Sequence, residues 1–142
     1  MKGGRREFIA GAATALIVPR HVLGGRGYTA PSDKLVIAGV GVGGVGRSYL
    51  KGCESQKIAV LCDVDTAYAA PTFAIYPDAV RYQDYRVMLE KEKGVEAVVI
   101  ATPDHTHAQI ALAAMELGKH VYCAKPMTRT VAEARRLKKT AA

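Results

Sequence analysis

A glycine-rich segment between two apolar runs is the feature of this chain that most limits its fold. Residues 35–40 are apolar without alternation, which is typical of a strand buried on both faces of a parallel sheet. Glycines follow at 41–46, then a predicted helix, then a second apolar run at 57–62 that ends at Asp63. Glycines permit a tight turn, and the start of a helix offers unpaired N–H groups to phosphate. This order predicts a dinucleotide site in which Asp63 accepts hydrogen bonds from the adenosine ribose.

Two sets of glycines fit the spacing G-x-G-x-x-G. The sets are Gly39, Gly41 and Gly44, and Gly41, Gly43 and Gly46. We favour the second set because it lets the strand continue through residue 40 and places Asp63 22 residues after the first glycine, near the usual spacing of about 20. The first glycine then makes the turn, Gly43 faces the pyrophosphate, and Gly46 lets the helix pack closely on the strand. The alternative is an ordinary glycine-rich loop, which the flanking strands and Asp63 disfavour.

Strands and helices alternate along the rest of the chain. The predicted strands cover 34–40, 57–62, 80–82, 95–100 and 120–124, and the predicted helices cover 44–54, 65–74, 84–92, 106–117 and a last helix opened by a capping box at 130–133. Asp65 and Asp84 are suited to cap helix starts, and Gly94 and Gly118 to end helices. The alternation predicts an α/β fold over residues 31–142, a doubly wound parallel sheet of the Rossmann type.

The distribution of charge argues against a nucleic-acid partner. The net charge is +7, but residues 1–30 and 129–142 each contain five basic residues and one acidic residue, which leaves the body of the chain at −1. No basic stripe interleaved with aromatic residues is present in the sequence. The basic cluster near the C-terminus suits the last half of a helix, where the helix dipole favours cations.

The cysteines and histidines do not have the spacing of a metal site. Cys53, Cys62 and Cys123 are odd in number and widely separated, so we expect neither a disulfide framework nor bound metal. Cys62 and Cys123 lie in apolar runs and are interpreted as small buried side chains. His105 and His107 have no convincing third ligand.

The first thirty residues resemble an export signal. Arg5 and Arg6 precede a short apolar stretch at 9–18, as in the twin-arginine signal that a receptor reads. Gly4 and Ala10 depart from the usual pattern. Tyr28 is bulky where a cleavage site requires a small residue, so an uncleaved anchor is an alternative. So does an N-terminus without a signal. We interpret 1–30 as signal and linker, which predicts a periplasmic protein and the export machinery as a partner. No segment reaches the roughly 18 apolar residues of a membrane-spanning helix.

Two further loops follow predicted strands, at the edge where open α/β sheets place ligands. The first runs from Ala101 to His107 and the second from Cys123 to Pro126. In the second, Lys125 precedes a proline that favours an extended backbone, which would point the ammonium into the crevice. Read alone, this position favours an ordinary surface lysine over a functional one.

Together these segments resemble the N-terminal domain of the glucose–fructose oxidoreductase/inositol dehydrogenase (Gfo/Idh/MocA) family over residues 32–142. The stretches that carry the resemblance are the glycine turn at 41–46, Cys-Asp-Val-Asp at 62–65, the run at 97–107 with Thr-Pro-x-x-x-His, and Gly-Lys-His-Val-Tyr-Cys-Ala-Lys-Pro at 118–126. The resemblance implies that the pyrophosphate is bound by Gly41, Gly43, Gly44, Val45 and Gly46. It also implies that Asp63 holds the adenosine ribose and favours NAD over NADP, because a 2′-phosphate would meet a carboxylate.

The resemblance assigns further roles near the reacting atoms. Thr102, Pro103 and His107 would line the nicotinamide side. Lys125 matches the lysine of the family's Glu-Lys-Pro motif, which lies near both the nicotinamide ribose and the substrate hydroxyl. The resemblance therefore implies that Lys125 contacts the cofactor, positions the substrate and assists proton transfer. The glutamate of that motif is Ala124 here, so any role of that glutamate in orienting the lysine or the cofactor is lost or replaced.

The implied function is NAD-dependent hydride transfer to or from a sugar, polyol or glycoside, by an enzyme that is homo-oligomeric at full length. Family members continue with a second domain that carries the main substrate contacts, so we expect a truncated chain. One alternative is redox-neutral glycoside cleavage with a recycled cofactor. Another is a non-catalytic nucleotide-binding module or an inactive fragment.

Overall fold

The computed structural model describes residues 29–142. The chain divides into two units, Met1–Asp33 and Lys34–Ala142. In the first, the described part contains a single 3-10 turn, Pro31–Asp33. The paired arginines and the apolar stretch of the predicted export signal lie outside the described residues. No helix within 29–142 has both the length and the apolar character needed to cross a bilayer.

The second unit alternates five strands with five helices, as the sequence predicts. The strands are β1 (Val36–Val40), β2 (Lys57–Cys62), β3 (Val80–Tyr82), β4 (Ala97–Ile100) and β5 (His120–Cys123). The helices are α1 (Val45–Gly52), α2 (Thr66–Ile75), α3 (Tyr85–Lys91), α4 (Asp104–Glu116) and α5 (Val131–Thr140).

All five strands are parallel, in the order β3-β2-β1-β4-β5. The last residues of the strands are paired in one row, Tyr82, Cys62, Val40, Ile100 and Cys123. Every loop that follows a strand therefore starts from the same edge of the sheet. The chain order reverses between β1 and β4, which is the point where doubly wound sheets open a crevice. The predicted fold class is confirmed.

Both faces of the sheet are covered, which explains why its strands lack alternation. Val60 and Val98 belong to a cluster that packs against α3, α4 and α5. Their neighbours Leu61 and Val99 point to the other face and pack with Leu50 of α1 and with α2. A strand buried on both sides gains from apolar residues at every position.

The predicted helix caps are confirmed. The Asp65 carboxylate accepts a hydrogen bond from the Tyr68 N–H at 2.9 Å, and the Asp84 carboxylate accepts one from the Arg86 N–H at 2.9 Å. The reciprocal capping box at 130–133 opens α5. Each cap satisfies N–H groups that would otherwise have no partner at a helix start.

One predicted helix end is wrong. Gly118 follows α4 with a positive φ of +71°, as a terminating glycine should. Gly94 does not end α3, because that helix stops at Lys91 and the N–H of Glu92 closes the last turn on the Met88 carbonyl at 2.9 Å.

Several other boundaries differ by a few residues. β1 begins at Val36 rather than 34, since the Leu35 N–H donates to the Gln56 side chain instead of to a strand. α4 begins at Asp104 rather than 106, because Pro103 serves as its N-cap residue and accepts a hydrogen bond from the Thr106 N–H.

Candidate functional site

The turn after β1 depends on two glycines. Gly41 has a φ of +79°, and a Cβ there would lie 2.5 Å from the backbone nitrogen of Thr102. A Cβ on Gly46 would collide with the carbonyl oxygen of Gly41. Gly39 lies inside β1, so the turn starts at Gly41, as the favoured spacing predicts. These contacts let the first turn of α1 approach the end of β1 and the loop after β4.

A buried threonine fixes the far side of the turn. Thr72 of α2 is fully buried, and its hydroxyl donates to the Val42 carbonyl at 2.7 Å. This bond satisfies a turn carbonyl that has left the β-ladder and ties α2 to the glycine segment.

The Asp63 carboxylate joins the turn to the end of β2. One oxygen accepts from the Gly43 N–H at 2.9 Å and the other from the Asp65 N–H at 3.0 Å. Backbone donors at both oxygens hold the carboxylate beside the glycine segment. Asp63 therefore lies where the sequence predicts the contact with the ribose.

Unpaired donors lie at the start of α1. No protein acceptor is bound to the N–H groups of Gly44, Val45 and Gly46 within the part of the chain that the structure describes, and Gly44 brings no side chain to cap the helix. Unpaired N–H groups and the positive end of the helix dipole suit an anion such as pyrophosphate. The backbone here forms a cradle that Cβ atoms would fill if the glycines carried side chains. Such a cradle suits a dinucleotide.

A cleft of about 640 Å³ opens at the carboxyl edge of the sheet. This volume lies in the range of roughly 300–1,000 Å³ usual for small-molecule sites. Five of the predicted site residues line it, and they are Gly41, Gly44, Asp63, Thr102 and Pro103. Gly43 and Gly46 are buried and Val45 is exposed, and none of the three lines the cleft.

Sequence reasoning missed the β3 side of this cleft. Asp84, Tyr85 and Arg86 all line it, as does Tyr68 of α2. The Arg86 guanidinium donates to both Asp84 oxygens, at 2.9 and 2.8 Å, and these bonds lower the pKa of the Asp84 carboxyl. The sequence signal for these residues was their position. The residues after β3 follow a strand, as those after β4 do, so they too begin at the edge of the sheet where the cleft lies.

The floor of the cleft contains an unreactive thiol. Cys62 is buried at the end of β2, and burial, with the charges of Asp63 and Asp84, raises its pKa to about 12. The side chain stays a neutral thiol at physiological pH, in agreement with its interpretation as a small buried residue.

His107 does not lie at the surface of the cleft. Its side chain is 2% exposed, and its ring nitrogens lie 2.7 Å from the carbonyl oxygens of Thr102 and Pro126. It bridges the loop after β4 to the loop after β5. A direct contact with nicotinamide would break one of these bonds, so that role stays a prediction.

Lys125 follows β5 and is exposed, outside the lining of the cleft. Its ammonium has no hydrogen-bond or ion-pair partner among residues 29–142. The His107 bond to Pro126 fixes the backbone next to it. Across the same range, no group of three His, Cys, Asp or Glu side chains is placed to hold a metal ion.

Comparison with known proteins identifies the family. The model of the Gfo/Idh/MocA oxidoreductase family, described as an NAD-binding Rossmann fold, matches residues 34–142. The chain belongs to this family. It contains the NAD-binding Rossmann domain, and the cleft at the carboxyl edge is where that fold places its ligand.

Three relatives illustrate the similarity. Inositol 2-dehydrogenase 1 of Saccharopolyspora erythraea is 35% identical over 102 residues, which are 69% of this chain and 30% of that protein. Levoglucosan dehydrogenase of Pseudarthrobacter phenanthrenivorans is 46% identical over 52 residues, 37% of this chain and 13% of its own length. The crystal structure of GenD2 from gentamicin A biosynthesis, in complex with NAD, has a TM-score of 0.70 at 25% identity and covers 88% of this chain and 34% of GenD2. The chain thus spans about a third or less of the length of each of these three relatives.

The contact between Gly46 and Gly41 predicts the effect of an added methyl group. Gly46→Ala should lower the free energy of unfolding by about 1–3 kcal/mol, because the methyl group would meet a backbone oxygen that cannot move alone. Chemical denaturation followed by circular dichroism measures the change.

Gly52→Ala is the matched control in the same helix. A Cβ at Gly52 meets nothing within 4 Å, so alanine should leave stability unchanged or raise it by up to about 1 kcal/mol. Equal stability of the two variants would contradict the close packing described for Gly46.

Proposed function

We propose that this chain is the cofactor domain of an NAD-dependent oxidoreductase that acts on a sugar, polyol or glycoside by hydride transfer. The observation that supports this most is the meeting of the glycine turn, the unpaired N–H groups of α1 and the Asp63 carboxylate at one edge of the sheet. The named activities of two relatives, on inositol and on levoglucosan, support the substrate class.

Each part of the proposed site has a separate task. The N–H groups of Gly44, Val45 and Gly46 bind the pyrophosphate, and Asp63 accepts hydrogen bonds from the adenosine ribose. Thr102 and Pro103 border the cofactor. When bound, the nicotinamide accepts or donates the hydride.

Lys125 is proposed as the residue that positions the substrate hydroxyl and moves its proton. Its exposed ammonium at the end of β5 is free to meet a substrate. Ala124 at the preceding position is buried and brings no carboxylate, so the lysine acts without the glutamate of the family motif.

Turnover tests this function. The full-length enzyme that contains this cofactor domain should reduce NAD with at least one of a panel of polyols and sugars, and Lys125→Met should lower its kcat by about 10²-fold or more with NAD binding retained, because general acid–base help is lost. Absorbance of reduced nicotinamide measures the rate, and Lys139→Met on exposed α5 is the control.

NAD binding without turnover on any member of the panel would contradict the proposal and favour a nucleotide-binding module. Sugar release without net reduction would indicate redox-neutral cleavage.

The preference for NAD over NADP is proposed from the charges that line the cleft. Asp63 places a carboxylate at the proposed ribose position. Arg86 is the one arginine or lysine among the lining residues, and Asp84 already pairs with its guanidinium. A 2′-phosphate would therefore meet an uncompensated carboxylate and find no free guanidinium.

Asp63→Ser should shift the preference toward NADP. The substitution removes a ribose acceptor and the charge that repels a 2′-phosphate, so the ratio of the NADP Kd to the NAD Kd should fall by about tenfold or more. Calorimetric titration with each cofactor gives the ratio. Asp78→Ser, in the exposed turn before β3, should leave the ratio unchanged. An unaltered ratio in Asp63→Ser would mean that another residue contacts the ribose.

We further propose export by the twin-arginine route, supported by Arg5, Arg6 and the apolar stretch that follows. In the full chain, replacing both arginines by lysine should retain the protein in the cytoplasm, while Arg26→Lys should not. Immunoblots of periplasmic and cytoplasmic fractions measure the distribution. Cytoplasmic retention of the wild-type protein would contradict the proposal.

A further inference from the structure

Tyr68 is placed against the glycine turn although sequence reasoning gives it no role. Its ring lies against Gly43, where an added Cβ would collide with the ring carbons. Its hydroxyl oxygen lies 3.1 Å from where a Cβ of Gly44 would be. The phenol therefore reaches across the turn to the residue that immediately precedes α1.

Core packing does not account for this position. Tyr68 is 63% exposed and belongs to neither apolar cluster of the sheet. It lines the cleft beside Gly44 and Asp63. An exposed aromatic ring held against a ligand cleft is more readily explained by a ligand contact than by the hydrophobic core.

A chain of hydrogen bonds fixes the backbone that presents this side chain. The Asp63 carboxylate accepts from the Asp65 N–H at 3.0 Å, and the Asp65 carboxylate accepts from the Tyr68 N–H at 2.9 Å. The start of α2 is thus set relative to the proposed ribose contact. Tyr68 lies on the first turn of α2, so its ring is positioned by the same bonds.

The hydroxyl has hydrogen-bonding capacity to spare. It has no hydrogen-bond partner within residues 29–142, and the donors to the Asp63 carboxylate within that range are the backbone N–H groups of Gly43 and Asp65. The groups beyond it at the start of α1 are themselves unpaired N–H donors. Unpaired donors on neighbouring residues suit an anionic ligand, and a phenol O–H is a good donor to phosphate.

We propose that the Tyr68 hydroxyl donates a hydrogen bond to the dinucleotide pyrophosphate, alongside the N–H groups of α1. The ring, packed on Gly43, holds the hydroxyl in place. This inference rests on the proposed function, because it names a further contact within the same cofactor site.

Tyr68→Phe tests the hydroxyl while retaining the ring. The variant should bind NAD and ADP about tenfold more weakly than the wild-type chain, a loss of about 1.4 kcal/mol. Its affinity for adenosine should be unchanged, because adenosine has no phosphate. Calorimetry measures the affinities for NAD and ADP. Adenosine lacks the pyrophosphate contacts and should bind more weakly, so its affinity is measured by NMR titration.

Tyr49→Phe is the matched control. Tyr49 lies on α1 but packs edge-on against Tyr122 of β5 at a ring separation of 5.4 Å, away from the cleft lining. The Tyr49→Phe variant should bind NAD, ADP and adenosine with the same affinities as the wild-type chain. Thermal unfolding checks that both variants fold.

Three results would overturn the inference alone. The first is unchanged binding of NAD by Tyr68→Phe. The second is tighter binding, which would mean that the hydroxyl obstructs the site. The third is an equal loss of affinity for adenosine, which would place the contact on the nucleoside. Failure of the wild-type chain to bind NAD or ADP would overturn the proposed function, and this inference with it.

Discussion

The contact between Gly46 and the carbonyl oxygen of Gly41 determines where the first helix begins, and the rest of the site depends on that position. Since neither residue has a side chain, α1 starts directly against the end of β1. Its unpaired N–H groups then lie at the carboxyl edge of the sheet, where doubly wound folds place their ligands. A side chain at either glycine would push the helix dipole away from the place where a phosphate can use it.

The parallel sheet brings the other functional groups to the same edge. Because every strand runs in one direction, residues far apart in sequence follow strand ends that are paired in a single row. Asp63 joins two of these loops by accepting a bond from Gly43, and His107 joins two others by bridging Thr102 and Pro126. The cleft is therefore held by bonds between loops, each anchored to a buried strand.

Much of this arrangement could be predicted because it follows from local rules. Apolar runs without alternation indicate buried parallel strands, and Asp65 has the position and chemistry of a helix cap. The acid after β2 was found because a fixed spacing links it to the glycine turn. The prediction that Gly94 ends α3 was wrong because the N–H of Glu92 closes the last turn of that helix on a backbone carbonyl, and this bond needs no glycine.

The contacts that depend on tertiary structure could not be predicted. The position of Arg86 after a strand places it at the carboxyl edge of the sheet, but it does not predict that the guanidinium, paired with Asp84, lines the same cleft as Asp63. The burial of His107 depends on two carbonyl groups, one of them 19 residues away. The place of Tyr68 over the turn depends on how α2 packs beside α1.

The most direct test of the proposed cofactor site is a map of backbone amide shifts by NMR as NAD is added to the chain. We expect the largest changes at Gly44, Val45 and Gly46, whose N–H groups gain phosphate acceptors, and none at Gly94, which follows α3 at the opposite edge of the sheet. Saturable shifts confined to other loops, or no shifts at millimolar NAD, would contradict the claim that the glycine turn and the start of α1 form the cofactor site.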